Sequence, residues 1–475
     1  MGAEANDTGA AGSSSAGRGW SGPRAALALL LLINLFNYID RQVLAAVVPH
    51  LKAAYFGANA AADSSALAGV LDWFQSRLGF KPEDALVGVL SMAFMGCYML
   101  GAPLFGRLAD RFSRWLIIGA AIITWSLASG GSGLAASFGV LLLTRCLVGV
   151  GEAAYGPVAP ALLSDYYPVK VRGRILAVFY LAIPVGSALG YVIGEQVAKS
   201  SLDQWGATVL GLRAESWRWA FYLLVPPGLL LGLWAFFMRE PQRGQADAGG
   251  ASPKARVHWA DYAVFLKTPS FVYCTLGMAA MTFAIGGIGF WMPYFLASVP
   301  GAPQSPTTFF GVIVVVSGLL ATLSGGWAGD RLRARYPSSY FLVSGTAMLC
   351  GFPLFLAALW APYPWLWVFI FLACFCLFFN TGPANTILAN VTHPAMRSAG
   401  FALNILVIHL LGDVISPVII GLLSDKYSLR LGFLAVGVMF LASGVLWLLG
   451  TRHLARDTIL AATRFQPQTS LPHSP

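Results

Sequence analysis

Three apolar runs each carry a pair of ionisable side chains. Asp40 and Arg41 stand together inside "LLINLFNYIDRQVLAAVVPHL", residues 31–51. Arg145 and Glu152 interrupt a second run, and His409 and Asp413 a third. Charge at lipid depth is expensive and is normally turned toward a bundle interior or a watery cavity. Arg145 and Glu152 are seven apart, two helical turns, and so share a face; His409 and Asp413 are one turn apart. The chemistry such residues suit is proton handling. Desolvation favours the neutral form of a carboxylate, a neighbouring guanidinium favours the charged form, and any movement changes the balance. Asp40 is therefore the expected proton-coupling residue, with Glu152 second and Arg41 and Arg145 as the charges that tune them. The competing reading is a static ion pair that only fixes helix packing.

The elements that must position these residues follow from composition. Of 475 residues, 57% are hydrophobic and 11% charged, against roughly 25% charged in a soluble domain. Twelve apolar runs reach the ~20 residues that a bilayer crossing needs: 24–51, 86–108, 115–136, 138–165, 172–197, 217–238, 270–298, 307–328, 339–361, 364–391, 397–424 and 429–451. An all-α membrane protein of twelve transmembrane helices is expected. At 1.5 Å per residue, Asp40 and Arg145 lie roughly 15 and 10 Å below the outer edge and Glu152 roughly 20 Å.

Residues 1–23 read as a disordered tail without the apolar core of a signal peptide, and 456–475 as a second tail. Of the thirty Lys and Arg, twenty fall in segments on the side shared with both termini and eight on the other, which predicts cytoplasmic termini. The net charge of +10 thus reads as topology, and no nucleic-acid partner is expected. All six cysteines lie in apolar runs without metal or redox spacing, so no metal is expected. No Ser–His–Asp or Cys–His arrangement suggests an enzyme, and no cofactor is expected beyond protons as the coupling ion.

The chain also repeats itself. "GRLADRFSR" follows the second run and "GWAGDRLRAR" the eighth; a shift of 220 places Gly106 on Gly326, Asp110 on Asp330 and Arg111 on Arg331. These five gating candidates (Gly106, Asp110, Arg111, Asp330 and Arg331) imply two six-helix halves, 24–238 and 269–455, joined by the polar linker 239–268. Glycine at such a loop would let helices approach closely, and Asp would cap a helix or pair with Arg.

This loop resembles the signature of the major facilitator superfamily, and the resemblance covers residues 24–455. "NYIDR", the segment Thr144–Gly194 and "ILVIHLLGDVISPVIIGLLSD" (Ile405–Asp425) resemble its spinster branch of lipid transporters. The resemblance implies the major facilitator fold, in which helices 1 and 4 line a central cavity, so that one carboxylate–guanidinium cluster is expected there with Arg145 and Glu152 bracketing Asp40. It implies alternating access and a lysophospholipid or sphingolipid-like cargo coupled to protons. The residues alone support only an amphiphilic or anionic solute. The alternative is a proton-coupled organic-anion or sugar-acid carrier, or a drug exporter, of the same fold.

Substrate contacts are expected from the second half: Phe290 and Trp291 for an apolar chain, and Asn380, Thr381, Asn385, Asn404, His409 and Asp413 for a headgroup. Gly186, Gly190 and Gly194, four apart, predict a close-packed face on helix 5; Pro184 and Pro417 predict kinks in helices 5 and 11. The long loop 52–85 is expected to carry a short surface helix around 67–78. Membrane lipids are the only other expected partners. A monomer in a bacterial inner membrane is expected, because no organelle address is visible and small residues abound.

Overall fold

The computed structural model describes residues 21–57, 65–211, 214–242, 246, 262–392 and 396–463. The terminal tails before residue 21 and after 463, and most of the linker, lie outside the described residues.

Among the described residues, twelve helices are long and apolar enough to cross a membrane: Pro23–Ala46, Glu83–Ala109, Arg114–Leu134, Phe138–Tyr166, Arg174–Ala198, Ser216–Phe236, Pro269–Ser298, Pro306–Arg333, Ser339–Trp360, Trp365–Val391, Ala399–Lys426 and Leu429–Gly450. They are called spans 1 to 12 in that order. In hydrocarbon a helix is the way for one segment to satisfy its own backbone polar groups, so each apolar run takes that form. The residues at the ends agree. Pro stands in the first turn of spans 1, 7 and 8, where its missing N–H costs nothing. The hydroxyls of Ser137 and Ser428 accept from the N–H groups of Val140 and Leu431, capping spans 4 and 12.

The prolines act where expected. Span 5 breaks at Leu181, just before a helix that contains Pro184 in its first turn. Span 11 passes through a wide turn, His409–Asp413, in which Gly412 leaves helical geometry, and resumes at Ser416 with Pro417 in the first turn. The glycine face of span 5 packs on span 1. A methyl at Gly186, Gly190 or Gly194 would lie 2.5, 2.6 or 2.6 Å from Leu35 O, Ile39 O or Ala46 Cβ. The surface helix in the long loop runs Ser65–Leu78. Where a tail was expected after residue 456, a helix, Leu454–Thr463, packs on the bundle and buries Leu454, Asp457 and Ala461.

An even number of spans leaves both ends of the bundle's chain on one side, here the terminal end; the opposite side is the far end. One apolar core runs through the second half and continues at the far end into the first, through Val43, Val47, Leu51, Phe138, Tyr191 and Trp217. The terminal-end portion of the first half has a core of its own, including Leu30, Ile33, Trp115, Trp125 and Leu162. The two halves are therefore joined at the far end and separate toward the terminal end.

Candidate functional site

Spans 1, 3 and 4 bring the first-half charges together, but as two pairs. Ser129 Oγ on span 3 donates to Asp40 Oδ1 at 2.6 Å, and the Arg145 guanidinium is 4.0 Å from the same oxygen. Arg41 Nε donates to Glu152 Oε2 at 2.8 Å. The expectation that Arg145 and Glu152 bracket Asp40 thus becomes a division: adjacent residues on span 1 point to different sides, about 100° apart on a helix, and each finds its own partner on span 4. Asp40 and Glu152 are 1% and 0% exposed, and the Arg41 side chain 16%. Arg41 is the member of the group that reaches open space.

Each pair has supports that spacing did not single out. Arg145 donates to Ser132 at 2.5 Å, Ser132 and Thr144 share a hydrogen bond of 2.8 Å, and the guanidinium carbon lies 5.3 Å from the Phe221 ring centre. Arg41 is ringed by Tyr38, Phe94 and Tyr98, with centroids 5.0, 5.0 and 5.1 Å away, an aromatic setting that stabilises a cation. Span 4 bends at Ala154, two residues beyond Glu152, and Tyr155 OH donates to Leu30 O at 2.5 Å, tying the bend to span 1. The second oxygen of Asp40, Oδ2, is buried without a hydrogen-bond partner among the described residues.

The second-half candidates scatter. His409 Nδ1 lies 2.9 and 3.0 Å from the two Asp413 oxygens within the wide turn of span 11. Gly286 of span 7 faces that turn so closely that a methyl there would be 2.6 Å from Asp413 Cβ. Asn380 and Asn404 are buried, each with its carbonyl oxygen unpartnered among the described residues. Thr381 donates to Phe378 O and exposed Asn385 to Thr381 O. Phe290 and Trp291 are packed in the core, edge to face, and Trp291 Nε1 donates to Pro417 O at 2.8 Å.

At the signature loops the side chain of Asp110 lies outside the described residues. Arg111 is exposed. Asp330 Oδ1 accepts from Tyr340 OH at 2.7 Å, and Arg331 lies over Trp327. Among the described residues a methyl at Gly106 or Gly326 would meet nothing within 4 Å, so neither glycine is needed for a close approach to them. The hub is a residue that sequence reasoning passed over. Buried Arg114 donates to Asp165 at 2.5 Å, to Glu240 at 2.8 Å and to Pro241 O at 3.3 Å, tying the loop to the start of the linker. Burial opposes ionisation of Glu240, but hydrogen bonds from Arg114 and Ser113 outweigh it and hold the carboxyl below its ordinary range.

The far end holds a feature absent from the sequence reading. Asp425, at the end of span 11, accepts from the backbone N–H groups of Asp84 and Ala85, both at 2.8 Å, and so caps span 2 of the other half. Glu195, at the end of span 5, accepts from Thr307 N at 3.3 Å and Thr308 N at 2.7 Å, capping span 8. Spans 5 and 11 occupy equivalent positions in the two halves, as do spans 2 and 8, so the two latches are related by the repeat. Lys52 and Ser424 both donate to Asp84. Glycines close the seams: a methyl at Gly421 would strike Asp84 and one at Gly88 would strike Pro417.

Residues 30–412 match the Major Facilitator Superfamily. Protein spinster homolog 3 of Danio rerio is 34% identical over 423 residues, 85% of this chain and 77% of that one. The chain belongs to the spinster branch of the major facilitator superfamily. The sphingosine-1-phosphate transporter SPNS2 of Danio rerio is 32% identical, over 85% of this chain and 76% of its own. A solved bacterial homologue of the human lysosomal transporter spinster, inward-facing and unoccupied, superposes with a TM-score of 0.76. It is 23% identical and covers 92% of this chain and 98% of that one. Membrane transport is the activity of this spinster-branch protein, and its relatives are transporters rather than enzymes.

Proposed function

We propose that the protein is a proton-coupled secondary transporter of lysophospholipids or sphingolipid-like amphiphiles, working by alternating access. The observation that carries the coupling is Asp40: buried, held through one oxygen by Ser129 with Arg145 at 4.0 Å, and with its other oxygen unpartnered. Proton binding at Oδ2 removes a charge from a site excluded from water and loosens the tie to Arg145. The glycine face of span 5 packs on span 1; span 5 carries the latch residue Glu195 and the helix that follows span 1 carries Lys52, which donates to Asp84, so a change at Asp40 acts on elements next to those that join the halves. Glu152 is the second candidate, through its pairing with Arg41.

The cargo reading draws on SPNS2, whose name carries sphingosine-1-phosphate, a single-chain amphiphile with a phosphate head. Arg41, partly open and rimmed by Tyr38, Phe94 and Tyr98, offers positive charge beside apolar surface, as a phosphate or carboxylate head with one chain requires. In this reading the protein acts as a monomer in a bacterial inner membrane, with both termini cytoplasmic by the Lys and Arg bias and the separated ends facing the cytoplasm.

The test is uptake of labelled lysophospholipid by purified protein in liposomes, with and without an imposed pH gradient, in the native chain and in Asp40→Asn. Gradient-driven uptake lost in the variant is expected. Gradient-driven uptake that survives in Asp40→Asn overturns the assignment to Asp40. Transport of small organic anions with no movement of lysolipid overturns the cargo.

A further inference from the structure

A groove of about 350 Å³ lies at the terminal end of the second half, lined by Arg333 from span 8, Tyr340 from span 9, Asn390 from span 10, and Leu454, Thr458 and Ile459 from the last helix. We propose that it holds the headgroup of an anionic phospholipid drawn from the surrounding bilayer. None of these residues belongs to the paired charges of spans 1 and 4.

Depth is the first argument. Span 8 has 28 residues and Arg333 is its last. Such a helix is about 42 Å long, against a hydrocarbon layer of ~30 Å, so its final turn stands in the headgroup region. Charge is the second. Arg333 is exposed and has no carboxylate partner among the described residues; it reaches only Tyr340, whose hydroxyl lies 3.4 Å away and whose ring lies beneath it. The nearby carboxylate, Asp330, accepts from that same hydroxyl through Oδ1, so the hydroxyl stands between it and the guanidinium. Exposed Arg331, Arg335, Arg452 and Arg456 lie on the same end of the bundle, and a basic surface at headgroup depth attracts anionic lipid.

Shape is the third argument. The last helix is pinned by its inner face. Leu454, Asp457 and Ala461 are buried, and Asp457 accepts from Ser270 N at 2.8 Å, capping span 7. Its outer face leaves Ile459 67% and Leu460 37% exposed beside the groove. An amphipathic helix with apolar residues outward at this depth is built to meet lipid. The phosphate of the lipid would take Arg333 and the Asn390 amide, while the upper acyl chain covers Ile459. A zwitterionic lipid satisfies its phosphate with its own ammonium group and gains less.

The test is native mass spectrometry of the full chain, released from detergent containing equal phosphatidylglycerol and phosphatidylcholine of matched chains. The expected result is at least one phosphatidylglycerol retained at collision energies that strip phosphatidylcholine. In Arg333→Gln that retention falls about tenfold, and in Ile459→Asn it falls partway. Both positions are exposed, so the fold survives. Equal retention of the two lipids by the native protein overturns the proposal without recourse to any variant. Unchanged phosphatidylglycerol retention in Arg333→Gln overturns it as well.

Discussion

Replacing Asp425 with Ala removes a contact that exists only while the halves meet at the far end. Two backbone N–H groups, of Asp84 and Ala85, lose a carboxylate at 2.8 Å each. Hydrogen bonds to a charged group contribute about 1.5–3 kcal/mol apiece, and loss of an N-cap costs about 0.5–2 kcal/mol in all. Water can reach this partly buried site and replace some of the loss, so about 2–3 kcal/mol is a reasonable total. In the proposed alternating-access cycle the opposite conformation lacks the contact, so the whole amount shifts the equilibrium. At 1.4 kcal/mol per tenfold, the shift is about 30- to 150-fold, enough to take a 1:99 minor state to between about a quarter and a little over half of the population. Pulsed electron paramagnetic resonance between labels at positions 81 and 427, in a cysteine-free background, reads it directly: a second, longer distance should appear. Asp425→Asn, which keeps an acceptor, should give a smaller fraction. A single unchanged distance in Asp425→Ala would refute the latch.

The repeat-related carboxylate predicts a parallel outcome. Glu195→Ala should produce a similar long-distance population between labels on spans 5 and 8, and the double variant should exceed either alone, measured by the same method. Gly190→Val places side-chain carbon against Ile39 O, where even a methyl would lie at 2.6 Å. Overpacking typically costs about 1–3 kcal/mol, and a lowered Tm in detergent should report it, whereas Gly106→Ala, which meets nothing, should leave Tm unchanged. Glu240 gives a pH prediction. Its carboxyl is held below the ordinary range by Arg114, so its contribution is present above an ordinary carboxylate's pKa, about 4.3, and is lost as pH falls through the lower folded value. Protection of the amides of residues 239, 240 and 242 against hydrogen exchange, after correction for the intrinsic rate at each pH, should fall in acid in the native protein, and already at neutral pH in Glu240→Gln.

Most of the architecture was legible because lipid leaves a chain few options. Twenty or so apolar residues must form a helix that satisfies its own backbone, so the ends of the twelve spans follow composition to within a few residues. Gly186, Gly190 and Gly194 were readable for a related reason: small residues one turn apart make a face wherever they occur, and here they meet span 1. The charged residues of spans 1, 4 and 11 were readable because cost at depth marks them, and Pro184 and Pro417 because a ring removes an N–H wherever it stands.

Pairing was decided by the tertiary structure. Helical spacing puts Arg145 and Glu152 on one face, but the rotation of span 1 against spans 3 and 4 decides that Asp40 goes to Ser129 and Arg41 to Glu152. Tyr38, Phe94 and Tyr98 look like any other aromatics of an apolar run until two helices, spans 1 and 2, bring them around one guanidinium. Asp84 and Asp425 are 341 residues apart and read as ordinary charges at span ends. Only the closing of the far end brings a carboxylate to the open N–H groups of a helix in the other half. Composition and period are properties of a segment, and so are carried by the sequence itself. A contact between segments depends on how the helices are turned and which end of the bundle is shut, and the folded bundle alone decides that.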